Sequence, residues 1–99
     1  MHDGIDIGAK NGTPIYATHD GIVTFAGWED GGYGNKVSIE NGGLMTFYAH
    51  MEQVLVSEGT QVTKGTLIGL VGDTGYSDGD HLHMGLYNNG KSEDPREWF

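Results

Sequence analysis

Short runs in which apolar and polar side chains alternate, broken by glycine-rich turns, make up most of this sequence. The clearest are "LMTFYAHM" (44–51) and "HLHMGLY" (81–87), where a period of two puts every second residue on the same face of a strand. "IYA", "IVTFAGW", "KVSIE" and "LIGLVG" read as further strands, rich in β-branched and aromatic residues. Turn signals separate them at intervals of roughly 8 to 12 residues, the spacing of an all-β domain. "NGTP" opens the first strand, "HDG" turns into the second, and "NGG" marks a hairpin between "KVSIE" and "LMTFYAHM". "EDGGYGN" (29–35) and residues 72–80 read as loops, "NNGK" closes the last strand, and "SEDPREWF" reads as an irregular tail. No segment sustains a helical period of about 3.6 residues. One echo, "GTPI" at 12–15 and "GTQV" at 59–62, falls short of a repeat.

Alternation also assigns faces. His81, His83 and Gly85 share one side of the last strand; Leu82, Met84 and Leu86 share the other, which reads as core. In the 44–51 strand, Thr46, Tyr48 and His50 fall together and Phe47, Ala49 and Met51 oppose them. Polar residues on a solvated sheet face would give the same pattern, so neither strand assigns a role alone. At the start of the chain "HDGID" places His2 and Asp6 four residues apart. In a straight strand they would stand about 13 Å apart, so a shared site demands a bend, which Gly4 permits. His19 reads as solvent-exposed, and Asp73, Asp78 and Asp80 as exposed loop carboxylates, the alternative being support for a metal ligand.

Composition narrows the classes. Ninety-nine residues suffice for one modest core, and 18 glycines against 2 prolines favour strands and tight turns over helices. Fourteen acids against 5 bases give a formal charge of −9, and Lys10, Lys36, Lys64, Lys91 and Arg96 are scattered, which argues against nucleic acid and anionic membranes as partners. No apolar stretch approaches the ~18 residues of a membrane span, so no membrane insertion is expected, and monomer is the default. Cysteine is absent, which excludes disulfides and thiolate metal sites. Met1 directly precedes His2, so the chain reads as a domain excised from a longer protein, with any targeting signal lost.

Metal chemistry gives the histidines a common purpose. Catalytic zinc takes three His, Asp or Glu ligands and keeps a position for water, while further groups move protons. His2, Asp6, His50, His81 and His83 supply enough groups for both tasks, and residue types alone do not sort ligands from catalysts.

The joint occurrence of H-x-G-x-D, Y-A-H and H-L-H, in that order, resembles the lysostaphin-type (LytM-like) zinc endopeptidases. The likeness runs through "HDGIDIGAKNGTPIYATHDGIV", "GGYGNKVSIENG", "TFYAHM", "GTQVTKGTLIGLVGDTGYSDGDHLHMGLYNNG" and the late "DP". It implies one small antiparallel β-sheet domain with a loop-walled groove, spanning residues 1–99 as a metalloendopeptidase catalytic domain without the N-terminal element that family domains usually carry. It further implies one zinc per chain held by His2, Asp6 and His83, with His50 and His81 as the catalytic pair. The implied substrate is the stem or bridge peptides of bacterial peptidoglycan. The implied location is extracellular or wall-associated, as a secreted enzyme or on a phage virion. Two alternatives accompany this reading: a non-catalytic regulator of wall hydrolases on the same fold, and a lipoyl- or biotinyl-like carrier suggested by "EGTQVTKGTLIGLVG". Activity is expected to fall below roughly pH 6, where imidazoles near their ordinary pKa protonate.

Overall fold

Because the chain alternates rather than spirals, its backbone groups are satisfied between strands. The computed structural model describes residues 4–74 and 79–99. Among them run β1 (Ile5–Gly8), β2 (Pro14–Tyr16), β3 (Gly21–Glu29), β4 (Gly34–Asn41), β5 (Leu44–Val54), β6 (Gln61–Val62), β7 (Leu67–Val71), β8 (His81–Asn88) and β9 (Lys91–Glu93). All pairings are antiparallel, in the order β1-β8-β5-β4-β3-β6; β7 joins β5 to β2, and β9 extends β8. The all-β antiparallel expectation is met. The two echoed segments lead into β2 and β6, which pair with different strands, so they are not halves of a repeat.

One face of the sheet builds the core. Val37 and Ile39 of β4, Tyr48 of β5 and Met84 of β8 pack with Ile15 of β2, Val62 of β6, and Ile68 and Val71 of β7. Each such apolar side chain contributes on the order of 1.5–3 kcal/mol when fully buried.

The decisive irregularity lies in β5. Asn35 stands opposite Met51 but Val37 opposite Tyr48, so three steps along β5 match two along β4. This is a β-bulge, and His50 within it has φ of 60°. The extra residue reverses the alternation: Met51 returns to the core cluster alongside Tyr48, and His50 turns to the opposite face. The expected grouping of His50 with Thr46 and Tyr48 is therefore corrected. Thr46 and Tyr48 are 0% and 1% exposed and hydrogen-bond to each other inside. Past the bulge β5 changes partner, since residues up to Ala49 pair with β8 whereas Met51, Gln53 and Val54 pair with β7.

Three further segments differ from expectation. "EDGGYGN" is mostly hairpin, because Glu29 already pairs with Gly34. The segment read only as a bend runs into β1, which begins at Ile5. The tail is ordered: Lys91–Glu93 pairs with β8, and Pro95–Glu97 forms a 3-10 turn. Asp94 caps that turn by accepting from the Arg96 amide at 2.9 Å, and Pro95 occupies its first position.

Candidate metal centre

Strand pairing unites the chain's two ends. In the β1–β8 ladder Asp6 lies directly opposite His83, and Gly8 opposite His81. Asp6 Oδ1 stands 2.7 Å from His83 Nδ1 and 3.4 Å from His81 Nε2. A Cβ on Gly4 would sit 2.5 Å from the Met84 carbonyl oxygen. Glycine here thus permits the close approach of β1 to β8, a role distinct from the expected bend. The Asp6 side chain is 66% exposed and those of His81 and His83 only 19% and 16%, so solvent reaches the cluster from the carboxylate side. His2 lies outside the described residues.

His50 completes the group from β5. Its ring centroid is 5.1 Å from that of His81 and 5.8 Å from that of His83. The His50 amide donates to the Tyr33 carbonyl at 2.8 Å, and Nδ1 lies 2.6 Å from the Thr74 carbonyl oxygen. A carbonyl only accepts, so Nδ1 carries the proton and Nε2 of the neutral ring holds the lone pair. His81 repeats the arrangement, with Nδ1 2.9 Å from the Gly79 carbonyl oxygen. Burial holds the His50 pKa below the usual imidazole value; the Thr74 carbonyl opposes this and the neighbouring His81 and His83 rings reinforce it.

The donor set suits zinc. Zinc favours imidazole nitrogen and carboxylate oxygen, and Asp6 Oδ1 and His83 Nδ1 already face each other across one ladder position. Among the described residues no set of three or more His, Cys, Asp or Glu forms a complete metal cage. The third expected ligand, His2, falls beyond them.

Aromatic residues wall the cluster, and alternation alone did not single them out. The Tyr33 ring lies 6.5 Å from that of His83, and Phe47 lies 5.6 Å from it. Lys36 Nζ sits 4.4 Å from the Tyr33 ring centre and 5.1 Å from that of Phe47, and pairs with Glu29. Thr74, whose carbonyl oxygen lies beside His50 Nδ1, gave no sequence signal, because a main-chain oxygen carries no residue signature.

His19 does not join the cluster, nor is it simply exposed. Its Nδ1 donates to the Asp20 carbonyl at 2.7 Å and Nε2 meets Thr46 Oγ1 at 2.8 Å. Thr46 in turn meets the Tyr48 hydroxyl, which also meets Thr18 Oγ1 at 2.7 Å. The expectation failed because a turn residue beside a buried hydroxyl can reach inward. Asp73 and Asp80 are exposed, as expected; Asp78 lies outside the described residues.

Known proteins resemble this chain in sequence and in fold. The chain is 46% identical over 96 residues to the DD-carboxypeptidase/endopeptidase Mpg of Neisseria meningitidis, covering 96% of this chain and 22% of that protein. The solved catalytic domain of the antimicrobial peptidase lysostaphin from Staphylococcus simulans superimposes with a TM-score of 0.90 at 36% identity, covering 99% of this chain and 78% of that one. A zinc-containing peptidase from Vibrio cholerae gives 0.85 at 35% identity, covering 93% of this chain and 28% of that one. The chain spans about a fifth of the length of relatives such as Mpg and lysostaphin. The model of Peptidase family M23 matches residues 1–95, and the chain belongs to that family.

Proposed function

We propose that this M23 domain is a zinc-dependent endopeptidase that hydrolyses peptide cross-links of bacterial peptidoglycan. His2, Asp6 and His83 hold one zinc per chain, and His50 and His81 handle protons. One observation carries the reading: Asp6 Oδ1 lies within 3.4 Å of both imidazoles of the H-L-H strand, while His50 closes the group from β5. Similarity to the peptidoglycan DD-endopeptidase ShyA of Vibrio cholerae, 40% identical over 92 residues, supports the substrate class. Residues 1–99 act as the catalytic unit of a longer protein, at work outside the cell or on the wall, whether secreted or carried on a phage virion.

Zinc, when bound, supplies a Lewis acid and lowers the pKa of water to about 7. The chain's own residues do the rest. With Nδ1 of His50 and His81 donating to main-chain carbonyls, each ring presents a basic Nε2. One accepts a proton from the attacking water, and the protonated ring can return it to the leaving amine. The other, once protonated, stabilises the negative charge that builds on the carbonyl oxygen.

The test is zinc content together with clearing of purified cell walls. The expected result is about one zinc per chain and clearing that a chelator abolishes. His81→Ala is expected to lose clearing and keep zinc, and His83→Ala to lose both. The reverse pattern would exchange their roles. Walls left intact by the zinc-loaded chain would favour a non-catalytic regulator.

A further inference from the structure

We propose that Thr74 is a positioning residue that holds His50 in one tautomer through a hydroxyl anchored on the bulge of β5. The inference rests on the reading of His50 as a proton-handling group. Its ground is the set of bonds around the bulge. Thr74 Oγ1 donates to the Met51 carbonyl at 2.6 Å and accepts from the Asn35 amide at 3.2 Å. Those two residues face each other across the β4–β5 ladder at the register shift. The hydroxyl therefore pins Thr74 to the strand that carries His50, and its carbonyl oxygen is left 2.6 Å from His50 Nδ1.

The neighbourhood supports an anchored role. A Cβ on Gly72 would stand 2.5 Å from the Glu52 amide nitrogen, so the chain leaving β7 lies directly on the backbone beyond the bulge. Asn35 Nδ2 donates to the same Met51 carbonyl at 3.1 Å. His50 itself occupies a left-handed conformation that disfavours a non-glycine residue, so its ring direction depends on being held from outside. Free imidazole interconverts its tautomers, and only the form with the proton on Nδ1 leaves Nε2 able to accept one.

Thr74→Val replaces the hydroxyl with a methyl of similar shape, and Thr74→Ser keeps the hydroxyl. In the zinc-loaded chain, Thr74→Val is expected to lower kcat on a soluble cross-linked peptide about 10- to 100-fold, the range seen for groups that orient a metal-site residue. KM and zinc content should stay as in the parent, and Thr74→Ser should restore kcat. Nitrogen NMR of the His50 ring, well above the ordinary imidazole pKa, should show Nδ1 protonated in the parent and in Thr74→Ser, and mixed tautomers in Thr74→Val.

A parent ring protonated on Nε2 would overturn the proposal without any variant. So would Thr74→Val with an unchanged ring spectrum and unchanged kcat. If Thr74→Val does not fold, Thr74→Ala takes its place, and an unchanged ring spectrum and kcat there overturn the proposal in the same way. A parent that cleaves nothing but shows the expected ring spectrum, altered in Thr74→Val, would end the enzymatic reading and leave the positioning role standing.

Discussion

His50 concentrates the conflict between conformation and chemistry in one residue. Its φ of 60° would suit glycine, yet an imidazole stands there, 7% exposed and hydrogen-bonded on both main-chain and ring nitrogen. Alanine normally stabilises a strand relative to glycine, and here the order should invert. His50→Gly is expected to be about 1 kcal/mol more stable than His50→Ala, read from urea unfolding, with both inactive; equal midpoints would remove the strain argument. The lowered His50 pKa sets a pH dependence in the metal-free chain. The unfolded ring, with pKa about 6.5, binds protons more readily than the folded one. The contribution to stability is thus complete above that value and disappears as pH falls through the folded pKa. The unfolding midpoint should drop between pH 8 and pH 5, less so in His50→Gln; a midpoint that rises on acidification contradicts the burial of His50.

Strands were the most legible elements, because alternation of side chains survives almost any context. β3, β4, β5, β7 and β8 lie where the pattern placed them, within a few residues. The pattern fails at the β5 bulge: a period of two cannot register one inserted residue, so alternation groups His50 with Thr46 and Tyr48 on the less apolar face, whereas Tyr48 lies in the core and His50 opposite it. β1 was missed for a related reason, since four residues offer too little alternation to outweigh Gly4 and Gly8. At the candidate metal centre, Asp6, His50, His81 and His83 were legible as side chains with suitable chemistry. Thr74 and Tyr33 were not, because main-chain oxygens and ring contacts arise only from pairing across the fold. β1 also carries an element-scale prediction. Gly4→Ala would drive a methyl into the Met84 carbonyl and move β1 off β8. Zinc affinity should fall about 10-fold or more, measured by competition with a chromogenic chelator; parental affinity would mean that Asp6 is placed independently of Gly4.

For the whole molecule, the site and the fold are one assembly. Asp6 and His83 are 77 residues apart and meet only through the β1–β8 ladder. An ion that binds both must stabilise the native sheet by mass action, by about 4 kcal/mol at a thousandfold excess over Kd. Zinc should therefore raise the unfolding midpoint, and a chelator should return it to the metal-free value. A midpoint indifferent to zinc would place the ion elsewhere. Hydrogen exchange gives the same test locally, with β1 amides slowed most.

The position of β1 at the sheet edge, against a strand near the other end of the chain, also fixes when the centre can exist. A ribosome that has translated through Asp80 has made Asp6 but neither histidine of its partner strand. Until β8 emerges, the nascent chain lacks the geometry to capture an ion through Asp6 and His83, so the proposed hydrolytic activity can arise only after nearly all of this segment has been translated.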